Sequence, residues 1–189
     1  MVIGDIYKNL PTLETERLLL RKVTLADTAA MFSYASNEDV AKYVTWDVHR
    51  SMSDTERFIN FVLNRYNNEE IAPWGIEDKE TGSFIGTVDF VSWSTNHHNA
   101  EIGYVIAPEY WGKGITTEAA RAIIRFGFEQ MELMRIQARC FVDNIASQRV
   151  MEKAGMTFEG INRKSMYIKG QYWDLKVYAI LKEEFDLFY

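Results

Sequence analysis

Apolar residues recur along this chain in two patterns, and the alternation of those patterns predicts a sheet interleaved with helices. Alternating or continuous apolar runs bounded by polar turns are typical of strands. The polar turns Lys79–Gly82 and Lys169–Gly170 each separate two such runs and predict hairpins. The predicted strands are Arg17–Val23, Trp74–Asp78, Phe84–Val91, Ala100–Ile106, Arg135–Val142, Phe158–Ile168 and Tyr172–Leu181.

Apolar side chains at three- and four-residue spacing predict two helices in the first half of the chain. The first begins after Thr24, and Asp27 is placed to return the capping hydrogen bond. The second begins at a capping box formed by Ser53 and Glu56. Its predicted apolar face consists of Phe58, Phe61, Val62 and Tyr66.

Two further helices are predicted in the second half, from about Thr116 to Met131 and from Asn144 to Ala154, where Gly155 stands as a C-terminal stop. The order β-α-α-β-β-β-α-β-α-β-β indicates an α/β chain with a mixed sheet and helices on both faces. We find no linker and no internal repeat. Residues 1–189 are therefore expected to form a single domain.

The loop between the strand Ala100–Ile106 and the following helix is the most informative stretch of the sequence. Gly112 and Gly114 precede that helix, and without a Cβ they allow a positive φ and a close backbone approach. Backbone N–H groups at a helix N-terminus attract anions, which predicts a site for a phosphate-bearing ligand. The alternative for a bare Gly-x-Gly is an ordinary strand-to-helix turn.

Two common phosphate motifs are absent from the sequence. A dinucleotide fingerprint requires a third glycine where Thr117 stands, and no segment has the glycine spacing of a P-loop. The loop is therefore a phosphate site of another kind, or an ordinary turn.

The loop and its neighbours resemble the GNAT superfamily of acetyl-CoA-dependent N-acetyltransferases. The resemblance runs from about Leu13 to Leu181 and is closest to the branch of ribosomal-protein serine/alanine N-terminal acetyltransferases. Trp111 and Thr116 stand where the superfamily loop has Gln or Arg and Gly or Ala. The similar segments outside the loop are Leu13–Leu18, Glu101–Tyr104, Asn144–Met156 and Gly170–Asp174.

The resemblance implies a GNAT fold, with a mostly antiparallel, twisted sheet whose central strands Ala100–Ile106 and Arg135–Val142 splay apart. Acetyl-CoA is expected in that gap, with its pantetheine on the first strand's backbone and its pyrophosphate on the glycine loop. For Asn144, expected to hold the pantetheine arm, a plain helix N-cap is the alternative. The expected cofactor-binding residues are Val105, Ile106, Trp111, Gly112, Lys113, Gly114, Ile115, Thr116, Thr117 and Asn144.

Acetyl transfer to an amine requires a neutral amine, a hydrogen-bond donor for the oxyanion and a proton for the thiolate that leaves. Glu101 is the candidate general base, directly or through water, and its alternative is a structural carboxylate. Glu159 is a second candidate, and its alternative is a plain strand-edge charge. By resemblance, Ser147 is the candidate donor to the CoA sulfur, with a helix-surface serine as the alternative. A backbone N–H near Ile106 is the expected oxyanion donor.

The candidate acceptor amines differ in the fraction that is neutral, and so able to react, at pH 7. An α-amino group with a pKa near 8 is about one-tenth neutral at pH 7. A lysine amine with a pKa near 10.4 is neutral only about four times in ten thousand. A protein N-terminus therefore needs much less help from a base.

Composition argues against several function classes. The formal charge of −6 argues against direct nucleic-acid binding. It favours a basic acceptor through steering, or simply keeps the protein soluble. No apolar run suits a bilayer span and no signal core is found, so we expect no membrane association and a cytoplasmic location. Cys140 is the only cysteine and is expected to be an inert core thiol. The adjacent His97 and His98 lack metal-ligand spacing, so no metal is expected.

The sequence therefore predicts an acetyl-CoA-dependent N-acetyltransferase that acts by direct transfer to an amine, with the N-terminus of a ribosomal protein as the favoured acceptor. Polyamines and other small amines are alternative acceptors. A non-catalytic CoA-binding module is the alternative from another class. A homodimer is expected only from the family resemblance.

Overall fold

The computed structural model of the chain describes residues 3–188. Within these residues, one eight-stranded sheet has the strand order β1-β2-β3-β4-β5-β6-β8-β7. The strands are β1 Leu13–Glu14, β2 Leu18–Lys22, β3 Trp74–Asp78, β4 Ser83–Ser94, β5 Asn99–Ile106, β6 Arg135–Phe141, β7 Thr157–Ile168 and β8 Gln171–Leu181. Neighbouring strands are antiparallel except β5 and β6, which are parallel. The predicted mixed, mostly antiparallel sheet is confirmed.

Four longer helices correspond to the predicted ones, and three short helices were not predicted. Two 3-10 turns, Leu25–Asp27 and Pro108–Tyr110, precede α2 and the glycine loop. In the described part of the chain no helix is both long and apolar enough to cross a membrane. The helices are α1 Ile3–Tyr7, α2 Thr28–Ala35, α3 Glu38–Ala41, α4 Met52–Asn67, α5 Ile115–Gln130, α6 Ile145–Lys153 and α7 Lys182–Phe188.

The predicted start of α4 is wrong by two residues. The N-cap is Ser51 and not Ser53, and its capping partner is Asp54 and not Glu56. The Asp54 carboxylate accepts the backbone N–H of Ser51 at 2.8 Å and that of Arg50 at 2.9 Å. One short carboxylate thus satisfies two N–H groups before the first turn.

The predicted apolar face of α4 is also partly wrong. Val62 and Tyr66 are buried as predicted, together with Ile59, but Phe61 is 54% exposed. The buried residues follow a spacing of three and four from Ile59, which excludes position 61. Phe61 lies instead along the wall of a cleft.

Helices cover both faces of the sheet. On the face that carries Phe90 and Ile136, α5 approaches so closely that a Cβ at Gly127 would lie 2.8 Å from Ile136 Cδ1. We call this the α5 face. On the opposite face, Tyr34 of α2 stacks on Phe84 of β4 with ring centroids 6.4 Å apart. We call this the α2 face.

The two central strands separate along their length, as expected. β5 and β6 pair from Asn99 opposite Arg135 to Ile102 opposite Ala138. Beyond this point both strands continue, to Ile106 and to Phe141, but they no longer pair with each other. This separation leaves a gap in the middle of the sheet, directly before the glycine loop.

Candidate active site

A cleft of about 1030 Å³ lies where β5 and β6 separate. Its walls come from these two strands, the glycine loop, α6, and residues of α3 and α4. Lys113 and Ile115 do not line it: the Lys113 side chain is exposed to solvent, and the Ile115 side chain is buried in the core. The predicted site residues that line it are Glu101, Val105, Ile106, Trp111, Gly112, Gly114, Thr116, Thr117, Asn144 and Ser147.

The hydrogen-bond alternation of β5 determines which backbone groups face the gap. Ala107 donates its N–H to the carbonyl of Ile85 on β4 at 2.8 Å. In an antiparallel pair the bonded positions alternate, so Val105 also directs its backbone groups to β4, while Ile106 directs them into the gap. The indole Nε1 of Trp111 donates to the Ile106 carbonyl at 3.0 Å. The Ile106 N–H is therefore the backbone donor that faces the cleft.

The glycine loop adopts the backbone conformation that its sequence predicts. Gly112 has a φ of 71° and Gly114, the N-cap of α5, a φ of 77°. The first N–H groups of a helix have no acceptor within the helix, and here they follow directly from the loop that lines the cleft. This arrangement suits an anion such as a pyrophosphate.

A polar cluster behind the loop was not predicted from the sequence. The Glu118 carboxylate of α5 accepts from Thr15 Oγ1 at 2.6 Å, from the Arg17 N–H at 2.9 Å and from Arg17 Nε at 2.6 Å. Arg17 also donates to the Lys113 carbonyl at 3.1 Å. Burial acts to raise the pKa of Glu118, but these hydrogen bonds outweigh it and hold the pKa below its usual range. Arg17 thereby ties the loop to the edge of the sheet.

Hydroxyl groups lie together on the α5 face of the gap. Asn144 is the N-cap of α6, and its side-chain oxygen accepts the N–H of Ser147 at 3.1 Å. The cap uses only the oxygen, so the amide nitrogen can still donate to a ligand. The hydroxyls of Ser147 and Tyr104 are 2.9 Å apart. Burial raises the pKa of Tyr104 and that of the neighbouring Cys140 thiol, the latter to about 11, so both stay protonated at neutral pH.

Glu101 lies on the α2 face, just before the strands separate. Its carboxylate accepts from Arg139 Nε and from Gln137 Nε2, each at 2.9 Å, and its side chain is only 12% exposed. These bonds fasten β5 to β6. Both carboxylate oxygens of Glu101 are therefore engaged by donors on β6.

Glu159, the second predicted base, lies outside the cleft. Its exposed carboxylate is bound by two nitrogens of Arg135 at 2.5 and 2.6 Å. These hydrogen bonds hold the pKa of Glu159 below its usual range. Glu159 is therefore a charge at the edge of the sheet and not a residue of the cleft, as its alternative interpretation predicted.

Asp89 lines the cleft and was missed by the sequence analysis. It lies on β4 opposite Gly103 of β5, on the α2 face. Burial raises the pKa of Asp89 to about 7, although the positive charge of Arg65 opposes the rise. An acidic residue inside the apolar strand Phe84–Val91 was the one available sequence indication, and by itself it did not distinguish a site from a strand bend.

More basic than acidic side chains line the cleft. The described lining residues include five basic side chains and three acidic ones. A basic excess suits the phosphates of a nucleotide cofactor and disfavours a ligand with several positive charges. The basic residues are Lys42, Arg65, Arg139, Arg149 and Lys153, and the acidic ones are Asp39, Asp89 and Glu101. Among residues 3–188, no group of three or more His, Cys, Asp or Glu side chains could hold a metal ion.

Comparison with known proteins agrees with this geometry. Residues 17–157 match the family model of the acetyltransferase (GNAT) domain. The chain is 38% identical over 172 residues to the uncharacterized N-acetyltransferase YoaA of Bacillus subtilis, covering 91% of this chain and 97% of that protein. A crystal structure of a GNAT-family acetyltransferase from Bacillus anthracis has a TM-score of 0.82 at 36% identity, covering 92% of this chain and 99% of that one.

The chain belongs to the GNAT family of acetyltransferases. It is an N-acetyltransferase, and enzymes of this family use acetyl-CoA. The spermidine N(1)-acetyltransferase of Vibrio cholerae is a more distant relative, 25% identical over 169 residues, covering 89% of this chain and 95% of that protein.

Proposed function

We propose that this chain transfers the acetyl group of acetyl-CoA directly to the N-terminal α-amine of a protein, with a ribosomal protein as the acceptor we favour. The observation that carries the proposal is the separation of β5 and β6 immediately before the glycine loop. It joins an unpaired strand edge, which can bond an extended pantetheine, to an anion site at the start of α5.

The residues around the gap fit acetyl-CoA. In this proposal the N–H groups of residues 112–117 meet the pyrophosphate, and Lys113 and Ile115 contribute their backbone only. Trp111 holds the loop against β5, and Asn144 donates its amide to the pantetheine arm. Val105 supplies cleft wall, since its backbone groups face β4.

The reaction needs few groups. A neutral amine attacks the thioester carbon and forms the C–N bond, while the Ile106 N–H stabilises the oxyanion. The C–S bond then breaks, and a proton from the nitrogen reaches the departing sulfur through the Ser147 hydroxyl, which Tyr104 positions at 2.9 Å. The products are the N-acetylated acceptor and CoA thiol. The base role of Glu101 stays a prediction, and its ion pair with Arg139 favours the structural alternative.

The charges of the cleft support an α-amine over a polyamine. A peptide N-terminus has one positive charge at the reacting end, whereas a polyamine brings several into a cleft with a basic excess. By its name, the ribosomal alpha-N-protein acetyltransferase RimL, which shares the fold at 21% identity, acts on such an N-terminus. The spermidine relative is the reason to retain a polyamine as the second candidate.

A doubly reactive peptide tests the proposed acceptor. A peptide with a free N-terminal serine and an internal lysine is incubated with acetyl-CoA and enzyme, and the acetylated position is read by tandem mass spectrometry. We expect acetyl on the α-amine. Acetyl on the lysine alone contradicts the proposed acceptor, and a peptide with a blocked N-terminus is the control.

A further inference from the structure

Asp89 is held where its carboxylate covers the backbone of β5. It stands opposite Gly103, and its Oδ1 lies 3.2 Å from the position that a Cβ on Gly103 would occupy. A side chain at Gly103 would crowd that carboxylate and would lie closer still, at 2.8 Å, to Val91 Cγ1. Because Gly103 has no side chain, the Asp89 carboxylate has room in the wall of the cleft, one strand away from the gap.

The carboxylate of Asp89 has no partner in the described part of the chain. Between residues 3 and 188 no N–H or O–H group donates to it and no basic side chain forms an ion pair with it. A partly buried carboxylate without hydrogen bonds is costly, and natural proteins keep such groups mostly where function requires them.

The nearest positive charge is engaged elsewhere. Arg65 of α4 lies near enough to influence Asp89, but its Nε donates to the Ile71 carbonyl and its guanidinium lies 3.8 Å from a Glu70 carboxylate oxygen. Arg65 therefore leaves the charge of Asp89 largely uncompensated.

The other titratable groups around Asp89 supply no counter-charge. Tyr7 of α1 and Tyr66 of α4 lie within its electrostatic reach, and burial raises the pKa of both phenols, so they stay neutral. On β5 the diagonal neighbour Glu101 is negative but is paired with Arg139. A cationic ligand in the cleft would supply the counter-charge that ionised Asp89 lacks among the described residues.

We propose that Asp89 receives the ammonium group of the acceptor and takes its first proton, which makes it a catalytic residue of the reaction proposed above and rests on that function. The ammonium N–H bond breaks, Asp89 becomes a neutral carboxylic acid, and the amine is left with the free electron pair that attacks the thioester. The second proton follows the path to the sulfur, and Asp89 returns its own proton to water through the cleft.

The basicity of Asp89 selects among amines. With a carboxyl pKa of about 7, proton transfer from an α-ammonium with a pKa near 8 is unfavourable by a factor of about 10. Transfer from a lysine or polyamine ammonium near 10.4 is unfavourable by a factor of about 2500. The site therefore matches weakly basic amines, and the chemical class of acceptor is an α-amine.

The pH dependence follows from the two ionisations. The route through Asp89 requires the ionised carboxylate, so kcat/KM of the wild type is expected to rise through about pH 7 and to level off above about pH 8, where the amine already arrives neutral. In Asp89→Asn the amine must arrive neutral. Its kcat/KM is expected to be about 100-fold lower at pH 7 and to rise through pH 8 to a plateau.

The experiment compares pH profiles of kcat/KM for an N-terminal peptide in the wild type, Asp89→Asn, Asp89→Glu and Glu101→Gln. Glu129→Gln on the exposed side of α5 is the matched charge control. Calorimetry with acetyl-CoA checks that each variant is folded and keeps its cofactor affinity. Asp89→Glu retains a carboxylate and is expected to retain the rise near pH 7.

Three results would overturn the proposal. One is an Asp89→Asn enzyme with the wild-type profile, another is loss of the rise in Glu101→Gln but not in Asp89→Asn, and a third is an Asp89→Glu enzyme without the rise. If the wild type itself releases no thiol with any amine, the proposed function fails and this assignment falls with it, which distinguishes the two failures.

Discussion

At the scale of single residues, Asp89 combines its proposed catalytic role with a cost in stability. In the folded chain the pKa of Asp89 is raised to about 7 by burial, from an ordinary value near 3.9. Between these values the folded state binds more protons than the unfolded state, so this group lowers stability as the pH rises from about 4 to about 7. Above pH 7 the full penalty is present, at most about 4 kcal/mol for about three pKa units.

Asp89→Asn should therefore stabilise the protein at pH 8 and leave its stability almost unchanged at pH 4, because the amide never carries the charge that burial disfavours. Thermal unfolding at the two pH values measures the difference. An equal change at both pH values, or a loss of stability at pH 8, would show that Asp89 has a stabilising partner when ionised. Loss of activity together with a gain in stability is the combination typical of a functional residue.

At the scale of elements, the glycine loop depends on groups that do not themselves line the cleft. Arg17, just before β2, donates to the Lys113 carbonyl and to Glu118 at the start of α5. The loop is thus fastened from behind while its N–H groups face the cleft. Arg17 is a positioning residue in this account, since it acts through the loop.

Arg17→Met keeps the length of the side chain and removes its hydrogen bonds. We expect the KM and the dissociation constant for acetyl-CoA to rise about tenfold, the effect of losing roughly 1.4 kcal/mol of loop positioning, while kcat changes little. Arg57→Met, an exposed change on α4 that leaves the cleft intact, is the control. An equal fall of kcat in Arg17→Met with unchanged cofactor affinity would contradict a positioning role.

Elements with a strong period were predictable, because one buried face determines the spacing of apolar residues. The helices α5 and α6 and the long strands lie within one or two residues of their predicted bounds, except that β4 continues three residues beyond its predicted end at Val91. The start of α4 was not predictable, because Ser51 and Ser53 are both suitable N-caps and only the contacts of Asp54 decide between them. The short helices α1, α3 and α7 have too few turns to show a period.

The local backbone geometry of the candidate site was predictable from the sequence, but the partners of its side chains were not. The loop glycines and Asn144 mark local geometry that a sequence can show. The partners of carboxylates are a tertiary property, so neither the ion pair of Glu101 with Arg139 nor the lack of a partner at Asp89 could be predicted from sequence alone.

At the scale of the whole molecule, the two proton transfers of the proposed reaction take place on opposite faces of the sheet, where β5 and β6 separate. Asp89 and Glu101 lie on the α2 face, while the hydroxyls of Tyr104 and Ser147 lie on the α5 face. An amine that enters from the α2 face can lose a proton there, and the thiolate can gain one on the opposite side. If the acceptor is a basic protein, as proposed, the overall charge of −6 favours its approach, while the basic excess inside the cleft suits the cofactor.

The most direct test of this account is the release of CoA thiol from acetyl-CoA in the presence of different amines. The panel contains peptides with free N-terminal serine or alanine, the same peptides with blocked N-termini and an internal lysine, and spermidine. The account predicts release that depends on a free peptide α-amine and is slow with the blocked peptides and with spermidine. Preferential release with spermidine, or no amine-dependent release at all, would contradict it.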